Sequence, residues 1–168
     1  MTVSFMIPGA PRAWARSRHS GKRHFTPAEQ VRIRRAILRC ANEQAPQGPP
    51  PGPLVLQVLA VFPRPASRPA SISREDWKSG AAIVRPHDPD LDNVVKNIAD
   101  ALQRTTETAG TSLWLDDDNR IVLVAALKVY AARGDEARTE VSVSACRPVP
   151  PTLDVSALVN PLFVVERA

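Results

Sequence analysis

Two short acidic segments carry the side chains best suited to chemistry in this sequence. The first contains Asp88, Asp90 and Asp92 at alternate positions, and the second is the run of three acids at 116–118. Alternate carboxylates can converge on one point, and oxygen ligands suit a hard cation such as Mg²⁺. A bound cation also relieves the repulsion between close carboxylates. The pattern therefore predicts a divalent metal site.

Both acidic segments also have structural interpretations. Asp90 or Asp92 could cap the helix that follows, because carboxylates at a helix start are favoured by the free N–H groups and the dipole. The second segment suits a turn, since Asp118 is followed by Asn119. A calcium-binding EF-hand is excluded because Asn93 stands where that loop needs glycine. On the residues alone, the metal site and the structural roles both stay open.

Lys96 lies one helical turn after Asp92, on the same face, and Asp100 lies one turn further on. An exposed pair at this spacing contributes only a few tenths of a kcal/mol, roughly, to helix stability. The functional alternative is a cation held beside a metal, where it meets a phosphate or a developing negative charge.

Positive charge is concentrated at the N-terminus. The chain has 22 basic and 17 acidic residues, a net charge of +5 and a pI near 9.9. Residues 1–40 hold nine basic side chains and one acid, so the remainder is net negative. Such polarity favours nucleic acid as a partner, although a solvated surface has the same composition. The predicted DNA-contacting residues are Arg12, Arg16, Arg18, Lys22 and Arg23, with Arg32, Arg35 and Arg39 on one helix face.

Composition excludes several other classes of protein. No apolar run approaches the ~20 residues that span a bilayer. The segment 1–6 is too short for a signal-peptide core. Cys40 and Cys146 are the only cysteines, which argues against a disulfide framework or a cysteine zinc site. The expected location is the cytoplasm, without membrane association.

Hydrophobic patterning predicts an α/β (α+β) fold in which two main helices cover a mixed β-sheet. The predicted order is β-α-β-α-β-β: strand 3–7, helix 27–42, strand 54–62, helix 91–105, strand 121–130 and strand 139–145. The continuous apolar run 54–62 is typical of a central strand buried on both faces. The predicted loops are 10–25, the proline-rich segment 46–53, and 63–85.

The first helix has a clear predicted start. Thr26 can cap backbone N–H groups, Pro27 suits the first helical position, and Glu29 completes a capping box. At helical spacing, Ile33 and Ile37 share a face opposite the arginines, and the second helix repeats apolar residues at 91, 94, 95, 98 and 102.

Taken together, these motifs resemble those of the RusA-type Holliday-junction resolvases. The sequence PDLDNVVK at 89–96, followed by ADAL at 99–102, is similar to the family signature P-D-L-D-N-x-x-K…D-A-L. The sequence WLDDDNRI at 114–121 resembles the family segment W-x-D-D-x-Q-I/V. Three short N-terminal segments, at 7–11, 16–18 and 25–27, also resemble motifs of the family. The resemblance therefore covers roughly residues 3–145.

The resemblance implies a RusA-like fold in a single nuclease domain, residues 1–147, followed by a C-terminal tail, 148–168. It also implies an Mg²⁺-dependent homodimeric endonuclease, with Mn²⁺ as an alternative metal, that cuts branched DNA in recombination and repair and is often phage-encoded. The family's essential residues correspond to Asp90, Asp92, Lys96 and Asp117, and the three aspartates would hold the metal.

The sequence departs from the family pattern at three points. Asp88 stands where a basic residue is usual, and Arg120 stands where glutamine is usual. The second motif is also one residue longer than the common form. Alignment on its tryptophan selects Asp116 and Asp117, whereas alignment on its isoleucine selects Asp117 and Asp118, so only Asp117 is common to both.

The predicted function is metal-assisted phosphodiester hydrolysis that resolves four-way DNA junctions. Two alternatives stay open. One is a non-catalytic DNA-binding protein whose acidic segments are turns. The other is a different metal-dependent nuclease or phosphohydrolase, acting on flaps, single strands or nucleotides.

Overall fold

The computed structural model describes residues 1–13, 18–20, 23–25, 27–85, 87–103 and 114–146, without side chains at 18–20 and 23–25. The strands are β1 (Thr2–Pro8), β2 (Arg18–Ser20), β3 (Arg23–Phe25), β4 (Leu54–Phe62), β5 (Ile83–Val84), β6 (Ile121–Tyr130) and β7 (Arg138–Ala145). The helices are α1 (Ala28–Gln44), α2 (Arg74–Ser79) and α3 (Leu91–Leu102), and a short 3₁₀ helix covers Asp118–Arg120.

Strand β4 is the centre of a five-stranded mixed sheet ordered β1-β7-β4-β6-β5. It pairs in parallel with β6 and antiparallel with β7, while β1 and β5 lie at the two edges. Eight of its nine residues are buried, as the uninterrupted apolar run predicts. The central strand inferred from sequence is therefore confirmed.

Helices α1 and α3 pack together over one face of this sheet. Leu38 of α1 and Val94 and Ile98 of α3 join Leu56 and Val58 of β4 in the main hydrophobic core. The apolar stripe of α3 faces inward, as its periodicity predicts. This arrangement confirms the predicted fold class, a mixed sheet covered by two main helices.

The helix ends differ in detail from the prediction. Helix α1 starts at Ala28, and the predicted first helical residue, Pro27, is its N-cap, with an extended ψ of 139° and no side-chain capping bond. Thr26 lies outside the described residues. Helix α3 ends at Leu102 rather than 105, because the Leu102 carbonyl accepts a bond from the Leu115 N–H at 2.8 Å while Gln103 is extended.

The predicted loop 63–85 is wrong in part, since it contains α2 and β5. The hydroxyl of Ser73 accepts a bond from the Asp76 N–H at 3.0 Å and so starts α2. Gly80, at φ 76°, ends it in the left-handed conformation that glycine adopts without steric cost.

Arg64 holds this segment against the sheet. Its guanidinium donates to the carbonyls of Ala81 at 2.7 Å, Trp77 at 2.9 Å and Ala131 at 3.1 Å. It also lies 4.2 Å from the centre of the Trp77 ring, a cation–π contact. Arg64 therefore adds hydrogen bonds to a segment whose Ile72 and Trp77 side chains already pack against the main hydrophobic core.

The predicted loop 10–25 is also wrong in part, because it contains β2 and β3, which pair antiparallel. Two residues separate them in the sequence, which is the commonest spacing for a β-hairpin. The predicted tail 148–168 lies outside the described residues. No helix in the described part of the chain is long and apolar enough to cross a membrane.

At Met6, a side chain binds the backbone groups on the outer edge of β1. The amide of Gln44, at the end of α1, donates to the Met6 carbonyl at 2.7 Å and accepts from the Met6 N–H at 2.8 Å. A side-chain amide thus makes the pair of bonds that a further strand would make.

The central strand gives a direct stability test. Leu56 is fully buried, whereas its register partner Val124 is 49% exposed. We expect Leu56→Ala to lower the free energy of unfolding by about 2–5 kcal/mol, because it leaves a cavity in the core. Val124→Ala, the matched control, is expected to cost less than about 1 kcal/mol. Urea denaturation measures both, and equal losses would contradict the assigned burial.

Candidate functional site

Asp90 and Asp92 lie at the start of α3, both exposed to solvent. Asp90 occupies the N-cap position, yet its carboxylate makes no capping hydrogen bond to the helix. Asp92 lies in the first turn, where the helix dipole favours a negative charge. The Asp90 carboxylate therefore does not cap the helix, a role that the sequence left open. It faces solvent instead.

One face of α3 continues from these acids to Lys96 and Asp100. The carboxylate of Asp100 is partly buried and accepts a bond from the Arg34 guanidinium at 2.9 Å. Burial raises the pKa of Asp100; the charges of Arg34 and Lys96 act in the opposite direction, and that of Asp118 adds to the rise. Lys96 and Asp118 are therefore both close enough to Asp100 for their charges to act on it.

The second acidic segment forms a capped turn. The Asp117 carboxylate accepts bonds from the Asn119 N–H at 2.9 Å and from the Asn119 side-chain amide at 3.1 Å. These bonds, led by the backbone one, hold the pKa of Asp117 below its usual value. The predicted turn is confirmed as the 3₁₀ helix, and Asp117 is its N-cap.

Two buried residues attach this turn to the core. The indole N–H of Trp114 donates to the Ala45 carbonyl at 3.1 Å, and its ring meets Phe5 edge-on, with centres 5.2 Å apart. Leu115 is bonded to the end of α3 through the Leu102 carbonyl. The second acidic segment is thereby fixed to the helix that carries the first.

Arg120, which replaces the family's usual glutamine, holds the proline-rich loop. Its guanidinium donates to the carbonyls of Pro50 at 2.5 Å and Gly52 at 3.1 Å. Proline has no N–H, so these carbonyls lie in a stretch that is short of backbone donors. Arg120 thus supplies side-chain donors to a loop whose prolines supply no backbone N–H.

The metal ligands inferred from the resemblance are not assembled in one group. Asp90, Asp92 and Asp117 are all described and all exposed. Within the described ranges, no three His, Cys, Asp or Glu side chains are grouped so that they could hold a metal ion together. Assignment of these aspartates to a metal therefore stays a prediction.

A buried polar contact between α1 and α3 was not predicted from sequence. The side chains of Gln30 and Asn97, both fully buried, are hydrogen-bonded to each other. Asn97 also donates to the Arg12 carbonyl at 2.9 Å and so ties the N-terminal segment to α3. The sequence offers one signal for this contact, which is the presence of polar residues on the inner face of a helix. Such residues need partners, because burial of an unpaired amide costs free energy.

Two basic side chains whose roles were not predicted from the sequence bind the segment that leads into α3. The Lys128 ammonium donates to the carbonyls of His87 at 2.9 Å and Pro89 at 2.8 Å. The guanidinium of Arg85 donates to the carbonyls of His87, at 3.4 Å, and Asp88. The available signal is that Lys128 is the only charged residue in the apolar strand β6.

The predicted DNA-contacting residues are only partly described. Arg32, Arg35 and Arg39 are exposed on α1, and Arg12 is exposed before it. Arg39 lies 4.0 Å from Glu43, an exposed pair of little energetic weight. Arg16 and Lys22 lie outside the described residues, and only the backbone is described for Arg18 and Arg23.

Comparison with known proteins agrees with the motifs. A family model described as the endodeoxyribonuclease RusA matches residues 8–144. An uncharacterised protein, YqaN of Bacillus subtilis (strain 168), is 30% identical over 146 residues, which cover 84% of this chain and 94% of that protein.

Asp100 gives a test by pH. Because its folded pKa is raised, the folded chain keeps a proton that the unfolded chain releases near 3.8. Ionisation of Asp100 therefore costs stability as the pH rises from 3.8 through the raised value. We expect the unfolding free energy of Asp100→Asn, relative to the unsubstituted chain, to increase across this window. Chemical denaturation at several pH values measures it, with Glu75→Gln as control; a decrease would mean that attraction to Arg34 outweighs burial.

Proposed function

This chain belongs to the RusA endodeoxyribonuclease family, and from that premise we propose that it resolves four-way DNA junctions by magnesium-dependent phosphodiester hydrolysis. The observation that carries the proposal is the pair of exposed carboxylates at the start of α3, since the Asp90 carboxylate makes no capping bond to the helix. An exposed acid at an N-cap without a capping bond suits a ligand.

Asp90, Asp92 and Asp117 would hold the metal, with Mn²⁺ as an alternative to Mg²⁺. The donor set fits in kind, because it consists of the carboxylate oxygens that hard cations prefer. When bound, the metal activates a water and neutralises charge on the phosphate. The bonds from Asn119 hold the pKa of Asp117 below its usual value and so favour the ionised carboxylate that a metal ligand requires.

Lys96 would act on the same face of α3 as the acids. Its ammonium would stabilise negative charge on a phosphate oxygen or on the leaving oxygen. Asp118 is the preferred partner of Asp117 in this proposal, because its charge acts on Asp100, near the C-terminal end of that face. Asp116 has no comparable link to α3.

DNA would be held through its phosphates. The exposed arginines of α1, Arg32, Arg35 and Arg39, and the N-terminal residues Arg12, Arg16, Arg18, Lys22 and Arg23 supply the positive charge. Phosphate contacts of this kind position DNA without reading its sequence. A homodimer is part of the proposal, since a four-way junction has two-fold symmetry and needs two opposed cuts.

Two observations favour a second candidate, a DNA-binding protein without catalysis. Asp117 serves as the cap of a turn, and no three-acid group is assembled within the described residues. In that case the acidic segments are structural. The cleavage experiment below separates the two functions.

We expect Asp90→Asn, Asp92→Asn and Asp117→Asn each to lower the rate of junction cleavage by about 100-fold or more. Asparagine keeps the shape of the side chain and can still cap the turn at 117, but it removes a charge that a metal needs. Junction binding should be unchanged or tighter, because repulsion of phosphate is also removed. The assay is cleavage of a labelled mobile junction with Mg²⁺, with binding measured by gel shift in EDTA.

The matched control is Glu75→Gln, which removes an exposed acid from α2. Asp118→Asn is expected to impair cleavage more than Asp116→Asn. Linear duplex, a flap and single-stranded DNA serve as competing substrates. Cleavage of these in preference to the junction, or loss of binding in step with cleavage, would contradict the proposal.

The helical arginines are tested by the salt dependence of binding. We expect joint replacement of Arg32, Arg35 and Arg39 by glutamine to weaken junction binding and to flatten its dependence on salt. Each phosphate contact contributes about −0.9 to the log–log slope, so the slope should fall in magnitude by up to about 2.7. Binding titrations at several salt concentrations measure this slope.

A second triple variant controls for net charge alone. Arg74, Lys78 and Arg133 are exposed positive residues on or beside the α2 segment. Their replacement by glutamine removes the same charge from a different surface and should change the slope little. Equal slopes for the two triple variants would remove α1 from the DNA interface.

A further inference from the structure

The segment 85–89, which leads into α3, is bound to strand β6 by side-chain cations rather than by a long ladder of backbone bonds. The ladder between β5 and β6 covers only two residue pairs, and one more backbone bond joins the Arg85 N–H to the Lys128 carbonyl at 3.0 Å. Beyond that point Lys128 and Arg85 between them hold the carbonyls of three successive residues, 87, 88 and 89.

Lys128 acts on the peptide group that enters Asp90. The Pro89 carbonyl and the Asp90 nitrogen lie in one plane, because the peptide bond between them is planar. The Lys128 ammonium donates to that carbonyl at 2.8 Å. This bond therefore fixes the orientation of the peptide group between Pro89 and Asp90. A rotation of this peptide would change the direction in which the Asp90 side chain leaves the backbone, whereas Asp92 lies within the first turn of the helix.

Arg85 binds the same segment through the carbonyls of His87 and Asp88. Its guanidinium carbon lies 4.0 Å from the ring centre of Phe62 and 5.1 Å from that of Tyr130. These rings are buried at the ends of β4 and β6, so the guanidinium has a rigid base. Arg85 is thus anchored on two buried rings, and Lys128 is the cation whose donors reach the peptide that leads directly into Asp90.

We propose that Lys128 is a positioning residue for the metal site: its ammonium fixes the Pro89 carbonyl and thereby holds the Asp90 carboxylate in place to bind a divalent cation. The inference rests on the proposed function in one respect, that Asp90 is a ligand. Lys128 itself touches neither metal nor DNA. The rival role is a simple counter-charge, in which case loss of Lys128 would strengthen metal binding.

The test is Mg²⁺ binding to the full chain, without DNA, measured by calorimetry. Lys128→Met keeps the apolar stem and removes the donors, and we expect the dissociation constant for Mg²⁺ to rise about tenfold or more. Lys128→Arg restores donors for both carbonyls and should stay within about threefold of the unsubstituted chain. Lys78→Met, at an exposed lysine of α2, is the matched control and should have no effect.

Lys128→Gln keeps two N–H donors without the charge, so it provides the test if the methionine variant does not fold. We expect its Mg²⁺ affinity to lie between those of the methionine variant and the unsubstituted chain. Unchanged or tighter binding in the methionine or glutamine variant would overturn the proposal, as would an arginine variant as weak as the methionine one. Mg²⁺ binding by a chain that cleaves no junction would refute the proposed function and leave the role of Lys128 standing.

Discussion

A shortage of backbone hydrogen-bond donors shapes the irregular parts of this protein. The chain contains 17 prolines, each of which lacks an N–H while its carbonyl still needs a partner. Side-chain cations supply the missing donors: Arg120 to the proline-rich loop, Arg64 to the segment around α2, and Lys128 to the segment before α3. Both acidic segments are attached to the sheet next to such a bond. Their positions therefore depend on cations that bind carbonyls.

The basic residues fall into two groups that differ in their exposure to solvent. Arg34, Arg64 and Arg120 have their donors directed to groups of the protein itself. Arg32, Arg35 and Arg39 are exposed along α1. Net charge treats the two groups alike, although only an exposed cation can neutralise a phosphate. The charge of +5 is thus a poor measure of the surface that DNA would meet, and its distribution along α1 is a better one.

Local patterns made the main elements predictable. The strand at 54–62 follows from an uninterrupted apolar run, and the helix from Leu91 follows from apolar residues at helical spacing. The spacing of Asp90 and Asp92 likewise exposed the candidate site. Contacts between segments that are far apart in the sequence could not be predicted from such local patterns. Helix α3 ends where Leu115 bonds to it, and the role of Lys128 depends on carbonyls some forty residues earlier in the chain. Only tertiary structure shows which backbone groups need a donor.

The amide of Gln44 has a consequence for how copies of the chain can assemble. An unpaired edge strand is a template for another strand, and many proteins associate by continuing a sheet from one chain into the next. At Met6 both backbone groups of the edge are already taken by Gln44. A second chain that extended the sheet at β1 would first have to displace this side chain from both backbone groups of Met6. Self-association by sheet continuation at that edge is thereby opposed within each copy.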